Sequence, residues 1–365
     1  LPYSALRYCP PSLRALLERE AQRRYDPDID PRLVKTFGSW EWAETIARRM
    51  GLGPLSRRLN LIGNVAFARR IARLAAQTHP SLLWGFNGAS CEAFRGARRE
   101  GIPCVLDQTT CTLAYQRTLY EEETHFAPPD WRPQISDLSS LDLADREMDW
   151  ATAIVVGSEQ VVRSLPERHR AKAIVCPYGV DSRFFEVAPR PRGAQFTVLY
   201  VGNITPNKGL YHLLEACARL RATIPLQLRL VGLLNVPARA LAPYADFVDH
   251  VPNVPYAQVH TLYANCDVFA LPSLQDGFGR VALEAAACGL PMVLSDHVGA
   301  AGLFAHGVSA MVHPIRDITA IADCLSALYH DRDKALALGE EARRVARIHT
   351  WERYGCQVRE IARSL

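Results

Sequence analysis

From Ala153 onward short apolar runs alternate with longer stretches of helical periodicity, and this alternation narrows the possible folds more than any other feature. The runs are AIVVGS (Ala153–Ser158), AIVCPYG (Ala173–Gly179), FTVLYVG (Phe196–Gly202), LQLRLVG (Leu226–Gly232), DVFALPS (Asp267–Ser273) and PMVLSD (Pro291–Asp296). Apart from LQLRLVG, with Gln227 and Arg229 at alternate positions, they are apolar nearly throughout rather than at every second residue, which predicts strands buried on both faces. Strands of that kind separated by helices specify a parallel sheet covered on both sides, the doubly wound α/β class. A weaker form occurs earlier, where SLLWGF (Ser81–Phe86) and CVLD (Cys104–Asp107) flank the helical SCEAFRGARREG (Ser90–Gly101). With 365 residues and 48% hydrophobic content, the chain is large enough for two such domains.

The breaker-rich EVAPRPRGAQ (Glu186–Gln195) reads as the linker between them. It divides the chain into an N-terminal Rossmann-like domain at 1–185 and a second at 186–348. TWERYGCQVREIARSL opens with Thr350 as a cap and predicts a closing helix within 349–365, packing back toward the first domain. The sequence starts at Leu1, which leaves room for a first strand and its glycine loop upstream.

No window reaches the roughly 18 apolar residues of a membrane span, and the start lacks the pattern of a secretory signal. Ten cysteines without a CxxC pair read as buried free thiols in a reducing compartment, so a cytoplasmic chain is expected. No metal-ligand cluster and no nucleic-acid-binding run is evident. The net charge is only +4, yet residues 7 to 73 carry fourteen Lys or Arg against seven Asp or Glu. Within that region Arg57–Gln77 places Leu59, Ile62, Val65, Ala66, Arg69, Ile71 and Leu74 near helical spacing. Such a helix suits either weak peripheral contact with an anionic membrane surface, at the inner face of the membrane, or ordinary packing with a solvated arginine face.

Two glycine-bearing turns carry the chemistry. In VGNITPNKGLYHLLEA (Val201–Ala216) Gly202 ends a strand, and Lys208 and Gly209 open a helix. A lysine there opposes the helix dipole unless an anion sits beside it. Only four lysines (Lys35, Lys172, Lys208, Lys334) occur among 42 basic residues, so its identity is less easily assigned to drift. In LPSLQDGFGRVALEAAACG (Leu271–Gly289) a strand gives way to a loop and a helix predicted from near Gly277 to Gly289. Gly277 and Gly279 permit close backbone approach of a phosphate or sugar, and free amides at a helix start favour an anion. Asp276 is either an ordinary N-cap or a ligand for sugar hydroxyls, and Glu284 either solvated or aimed at a ribose.

These two motifs, together with PYGVDSRFF (Pro177–Phe185), resemble the nucleotide-sugar half of GT-B glycosyltransferases, in particular the large retaining family 4, over about residues 150 to 365. The resemblance implies two Rossmann-like domains facing a central cleft. It implies transfer of a hexose-type sugar from a nucleotide diphosphate sugar, UDP-sugar favoured, to a hydroxyl of a carbohydrate, lipid-linked or small-molecule acceptor, with retention. No cofactor or bound metal is expected, because side-chain cations and helix dipoles neutralise the leaving diphosphate. Carried over by residue, it makes Lys208, Asp276 and Glu284 the catalytic candidates. It places Gly202, Asn203, Lys208, Asp276, Gly277, Phe278, Gly279, Val281 and Glu284 at the donor, with Lys208 on the diphosphate, Asp276 on the sugar and Glu284 on the ribose.

Three departures stand out. Asn203 replaces a common arginine, with Arg280 as a substitute cation; Asp276 replaces the commoner glutamate; and the loop that often carries a histidine falls near Thr112, with His125 thirteen residues on. Asp107, Thr112 and His125 are the acceptor-side candidates, Asp107 being equally an ordinary cap. Glu121, Glu122 and Glu123 read as a solvated helix face. A non-catalytic nucleotide-sugar-binding scaffold and a nucleotide-sugar epimerase remain the alternatives.

Overall fold

The computed structural model describes residues 29–35, 37, 39–134, 141–186, 193, 195–252 and 254–365. Most of the expected linker (187–192 and 194), the first part of the basic region (7–28) and Cys9 lie outside the described residues. The chain divides into two compact units, one holding residues 1–80 with 88–101 and the other 81–87 with 102–365.

In the first unit the helices are α1 (Ser39–Arg49), α2 (Gly53–Thr78) and α3 (Cys91–Arg99). Their backbones approach at small residues: a Cβ on Gly96 would lie 2.6 Å from that of Ala72, and one on Gly63 2.9 Å from that of Trp40. The helix expected at Arg57–Gln77 is therefore present as α2, with a narrow buried stripe of Ser56, Ala68 and Ala75. Leu55, Leu61, Ile62 and Phe67 on the same helix are exposed.

The second unit contains two parallel sheets. The first has the order β1 (Leu83–Phe86), β2 (Cys104–Gln108), β3 (Ala153–Val156), β4 (Ala173–Val175). With it come α4 (Leu113–Glu123), α5 (Leu141–Trp150), α6 (Glu159–Ser164) and α7 (Glu167–Arg170). The second sheet is built from β5 (Phe196–Val201), β6 (Leu226–Val231), β7 (Val248–Val251), β8 (Val268–Leu271), β9 (Met292–Ser295) and β10 (Met311–His313). Its helices are α8 (Leu210–Leu220), α9 (Tyr256–Ala264), α10 (Arg280–Ala287), α11 (Ile318–His330) and α12 (Arg332–Ala346), and α13 (Trp351–Ser364) closes the chain.

The second sheet runs β10-β9-β8-β5-β6-β7, so the chain builds outward from β5 in one direction and then from β8 in the other. The β5/β8 junction is a topological switch point, the place where loops at the strands' carboxyl ends part to leave a crevice. Val198, Leu199, Val268 and Phe269 are fully buried there, each contributing about 1.5–3 kcal/mol of apolar burial. Every strand expected from an apolar run is present. β7 and β10 escape that reading because they are edge strands: β7 contains Asp249 and His250, and β10 has three residues. Asp249 stands opposite Arg229 of β6 and accepts its Nε–H at 2.8 Å.

Thr350 caps α13 as its position predicts, accepting from the amide of Arg353 at 3.3 Å. Tyr354, Val358 and Ile361 of α13 pack on Val105, Val155 and Cys176 of the first sheet and its edge. Cys104, Cys111, Cys176, Cys217, Cys288 and Cys324 are buried free thiols, and desolvation holds Cys111 and Cys288 up to about 12. Cys356 is exposed. Among the described residues no helix is long and apolar enough to cross a membrane.

Candidate functional site

The switch point brings together the two glycine turns. After β5 the chain passes Gly202, at φ 142°, and exposed Asn203, whose carbonyl accepts the Tyr200 hydroxyl at 2.8 Å. A 3-10 turn, Pro206–Lys208, then leads to Gly209 in the left-handed region at φ 64°. Lys208 thus ends that turn and Gly209 is the N-cap of α8, one residue later than the sequence suggested. Glycine is required there twice over, since a Cβ would meet the Pro272 carbonyl at 2.1 Å. Leu274 closes the contact by donating to the Asn207 carbonyl at 3.1 Å.

After β8 the segment Gln275–Gly279 is fixed by its own carbonyls. Those of Asp276, Gly277 and Phe278 accept from the Gly299 amide (3.0 Å), the Ser158 hydroxyl (2.6 Å) and the Ala300 amide (2.6 Å). This held turn shifts the helix start: α10 begins at Arg280 with Gly279, at φ 82°, as its N-cap, so Asp276 is not the cap the sequence suggested. Asp276 Oδ1 instead accepts the Phe278 amide at 3.4 Å, and Oδ2 pairs with Lys208 Nζ. With three carbonyls engaged, what this segment offers a ligand is chiefly amide donors at the start of a helix, which favour negative charge.

Phe278 is buried and meets Tyr178 of the PYG segment edge-on, with ring centroids 5.1 Å apart. Val281 gives its carbonyl to the Tyr263 hydroxyl at 3.4 Å. Glu284, on the second turn of α10, is buried rather than solvated and accepts the Tyr263 hydroxyl at 3.0 Å. Arg280 is exposed at the first position of the helix. Lys208 and Asp276 are therefore in direct contact, while Glu284 is held by a separate partner.

What comes close to Gly277 is the chain's own backbone. A Cβ on it would stand 2.4 Å from the Thr109 carbonyl oxygen and 2.6 Å from the Thr110 Cα, in the loop after β2. Carboxyl-end loops of both sheets therefore meet at this glycine. Sequence reasoning placed the first-domain contribution near Thr112, but Thr112 is the buried N-cap of α4: its hydroxyl donates to the Ser164 carbonyl at 2.8 Å and accepts the Tyr115 amide at 3.4 Å. Thr110, two residues earlier, is the one against the glycine turn. His125 is exposed beyond the far end of α4, about 20 Å along the helix from Thr112.

Asp107 is buried at the end of β2, and its Oδ2 accepts only a long bond, 3.3 Å, from Trp84 Nε1 among the described hydrogen bonds. Desolvation raises its pKa, with the Trp84 bond opposing. Glu123 departs most from expectation. It is 1% exposed, not solvated, because His212 of α8 and Arg316 occupy its two oxygens.

Sequence reasoning also missed a polar network around the turn. Gln275 Nε2 donates to the Tyr120 hydroxyl at 3.0 Å, and Gln160 Nε2 to the Tyr115 hydroxyl at 3.0 Å. His297 Nδ1 lies 3.0 Å from the Leu274 carbonyl. Gln275, beside Asp276 in the turn, was the available signal, since a buried amide needs partners.

Residues 182–345 match the family described as glycosyl transferases group 1. A D-inositol 3-phosphate glycosyltransferase of Arthrobacter sp. (strain FB24) is 30% identical over 229 residues, 57% of this chain and 54% of that protein. The chain spans about half to two thirds of the length of the curated relatives it matches. Among solved structures, sucrose-phosphate synthase from Thermosynechococcus elongatus aligns with TM-score 0.65 at 20% identity, over 82% of this chain and 77% of that one. Anabaena HepE, solved with UDP, aligns with TM-score 0.62 at 17% identity, over 81% of this chain and 82% of that one. The chain thus has the GT-B fold, and residues 182–345 are similar to the glycosyl transferases group 1.

Proposed function

We propose that this chain transfers a sugar from a nucleoside diphosphate sugar to an acceptor hydroxyl. The observation that carries the reading is the pairing of Lys208 with the Asp276 turn at the β5/β8 switch point, where one ammonium and the amides at the start of α10 converge. A departing diphosphate needs such preorganised positive charge as its bond to the sugar breaks. In this reading the diphosphate competes with Asp276 for Lys208, and the carboxylate so released accepts hydroxyls of the transferred sugar. Buried Glu284, oriented by Tyr263, takes the ribose diol. Neutralisation by protein donors requires no metal, and a front-face reaction, in which the leaving phosphate accepts the acceptor's proton, retains configuration.

UDP-sugar is the donor we favour, a choice supported by the fold shared with a protein solved in its UDP complex. We read residues 186–348 as the donor half and 1–185 as the acceptor half, taking a carbohydrate, lipid-linked or small-molecule acceptor. The exposed Leu55, Leu61, Ile62 and Phe67 of α2, with Arg57 and Arg58 on the same helix, suit an acceptor presented at an anionic membrane surface.

A thermal-shift panel of UDP-, GDP-, ADP- and TDP-sugars tests the donor site. One donor should stabilise the protein, by about 2.7 kcal/mol at a hundred times its dissociation constant. Lys208→Ala and Glu284→Ala should each abolish the shift, and unchanged shifts in both would sink the assignment. Donor binding with neither transfer nor donor hydrolysis would identify a scaffold instead.

A further inference from the structure

Helix α4 belongs in sequence to the first sheet, and its N-terminal residue Thr112 is tied there to Ser164 of α6. Its other end is tied to elements of the second sheet. Glu123 Oε1 lies 2.8 Å from His212 Nε2 on the first turn of α8, and Oε2 accepts Arg316 Nε at 2.8 Å. Arg316 also donates to Glu122 Oε2 (3.0 Å) and the Leu119 carbonyl (2.8 Å), and lies over the Phe126 ring at 5.0 Å. It does so from φ 65°, a left-handed conformation that a non-glycine residue holds only when its surroundings enforce it. One turn before Glu123, on the same face of α4, Tyr120 accepts from Gln275, the residue beside Asp276. His212 lies four residues after Lys208, and its amide donates to the Gly209 carbonyl at 3.1 Å.

We infer that Glu123 is a positioning residue for the donor site. Through His212 it fixes the start of α8, and hence the direction from which Lys208 reaches the diphosphate, while Tyr120 fixes the Asp276 turn from the same helix face. A carboxylate buried to this depth is costly unless both oxygens are engaged, so its two partners and the helix carrying it are locked in one arrangement. The start of α8 is thereby held on two sides, by the Pro272 carbonyl packed on Gly209 and by Glu123 against His212. The inference rests on Lys208 being a diphosphate ligand.

The test is the dissociation constant of UDP, and of GDP in parallel, by titration calorimetry at a temperature where circular dichroism shows each variant folded. Glu123→Gln and His212→Phe should each weaken the bound nucleotide roughly tenfold. His212→Gln, whose amide nitrogen can donate where Nε2 does, should restore affinity to within about threefold of wild type, and Glu121→Gln, at an exposed acid paired with Arg117, should leave it unchanged. A merely structural role lowers the melting temperature without moving the dissociation constant. Unchanged affinity in both Glu123→Gln and His212→Phe therefore overturns the inference while leaving the donor site standing. If Glu123→Gln does not fold, the His212 pair decides alone. Wild-type protein that binds neither nucleotide overturns the donor-site reading, and this inference with it.

Discussion

Asp107 shows how much of a residue's character is set by what covers it. Its carboxylate sits at the carboxyl end of β2 with one long bond from Trp84, and burial raises its pKa because the charged form has lost water without gaining a cation. A raised folded-state value means that the folded protein holds the proton more tightly than the unfolded chain. Stability from this group is then complete below the ordinary aspartate range and falls as pH climbs through the raised value. Asp107→Asn should accordingly stabilise the protein against urea at pH 7. The gain should vanish near pH 3, and urea midpoints at the two pH values check both halves of the statement. Glu123 is arranged differently, buried with one oxygen beside His212 Nε2 and the other accepting Arg316 Nε.

At the scale of elements, the start of α8 is the part of the site most constrained by backbone geometry. Gly209→Ala would place a methyl group against the Pro272 carbonyl at a position with φ 64°, so a destabilisation of more than about 1 kcal/mol is expected, measured by urea unfolding, with loss of the nucleotide-dependent thermal shift. The strands that frame this site were legible in the sequence because β5, β8 and β9 are interior strands whose apolar runs are unbroken or nearly so, and β6 alternates apolar residues with Gln227 and Arg229. The two edge strands were not, since an edge tolerates Asp249 and His250. Both glycine turns were legible as turns, but the partner of Gly277 was not, because Thr109 and Thr110 lie far away in sequence. The same distance hid Glu123. Within Glu121–Glu122–Glu123 it looks like any solvated acid, and its partners His212 and Arg316 stand 89 and 193 residues away.

For the whole molecule, the two sheets are joined by more than chain connectivity. Ser158 and the Thr109–Thr110 loop seat the glycine turn, α4 is anchored at both ends, and α13 returns from the second sheet to lie on the first. That last arrangement has a consequence for biosynthesis. Val105, Val155 and Cys176 are made well before the residues that shield them, Tyr354, Val358 and Ile361. The first sheet therefore cannot bury this face until α13 has been made, a long-range closure that is slow and leaves apolar surface open to aggregation or chaperones. Nascent chains arrested before Trp351 should be cut by protease in the β2–β4 region, whereas released full-length chains should resist. Equal protection of both would show that the first sheet matures without α13.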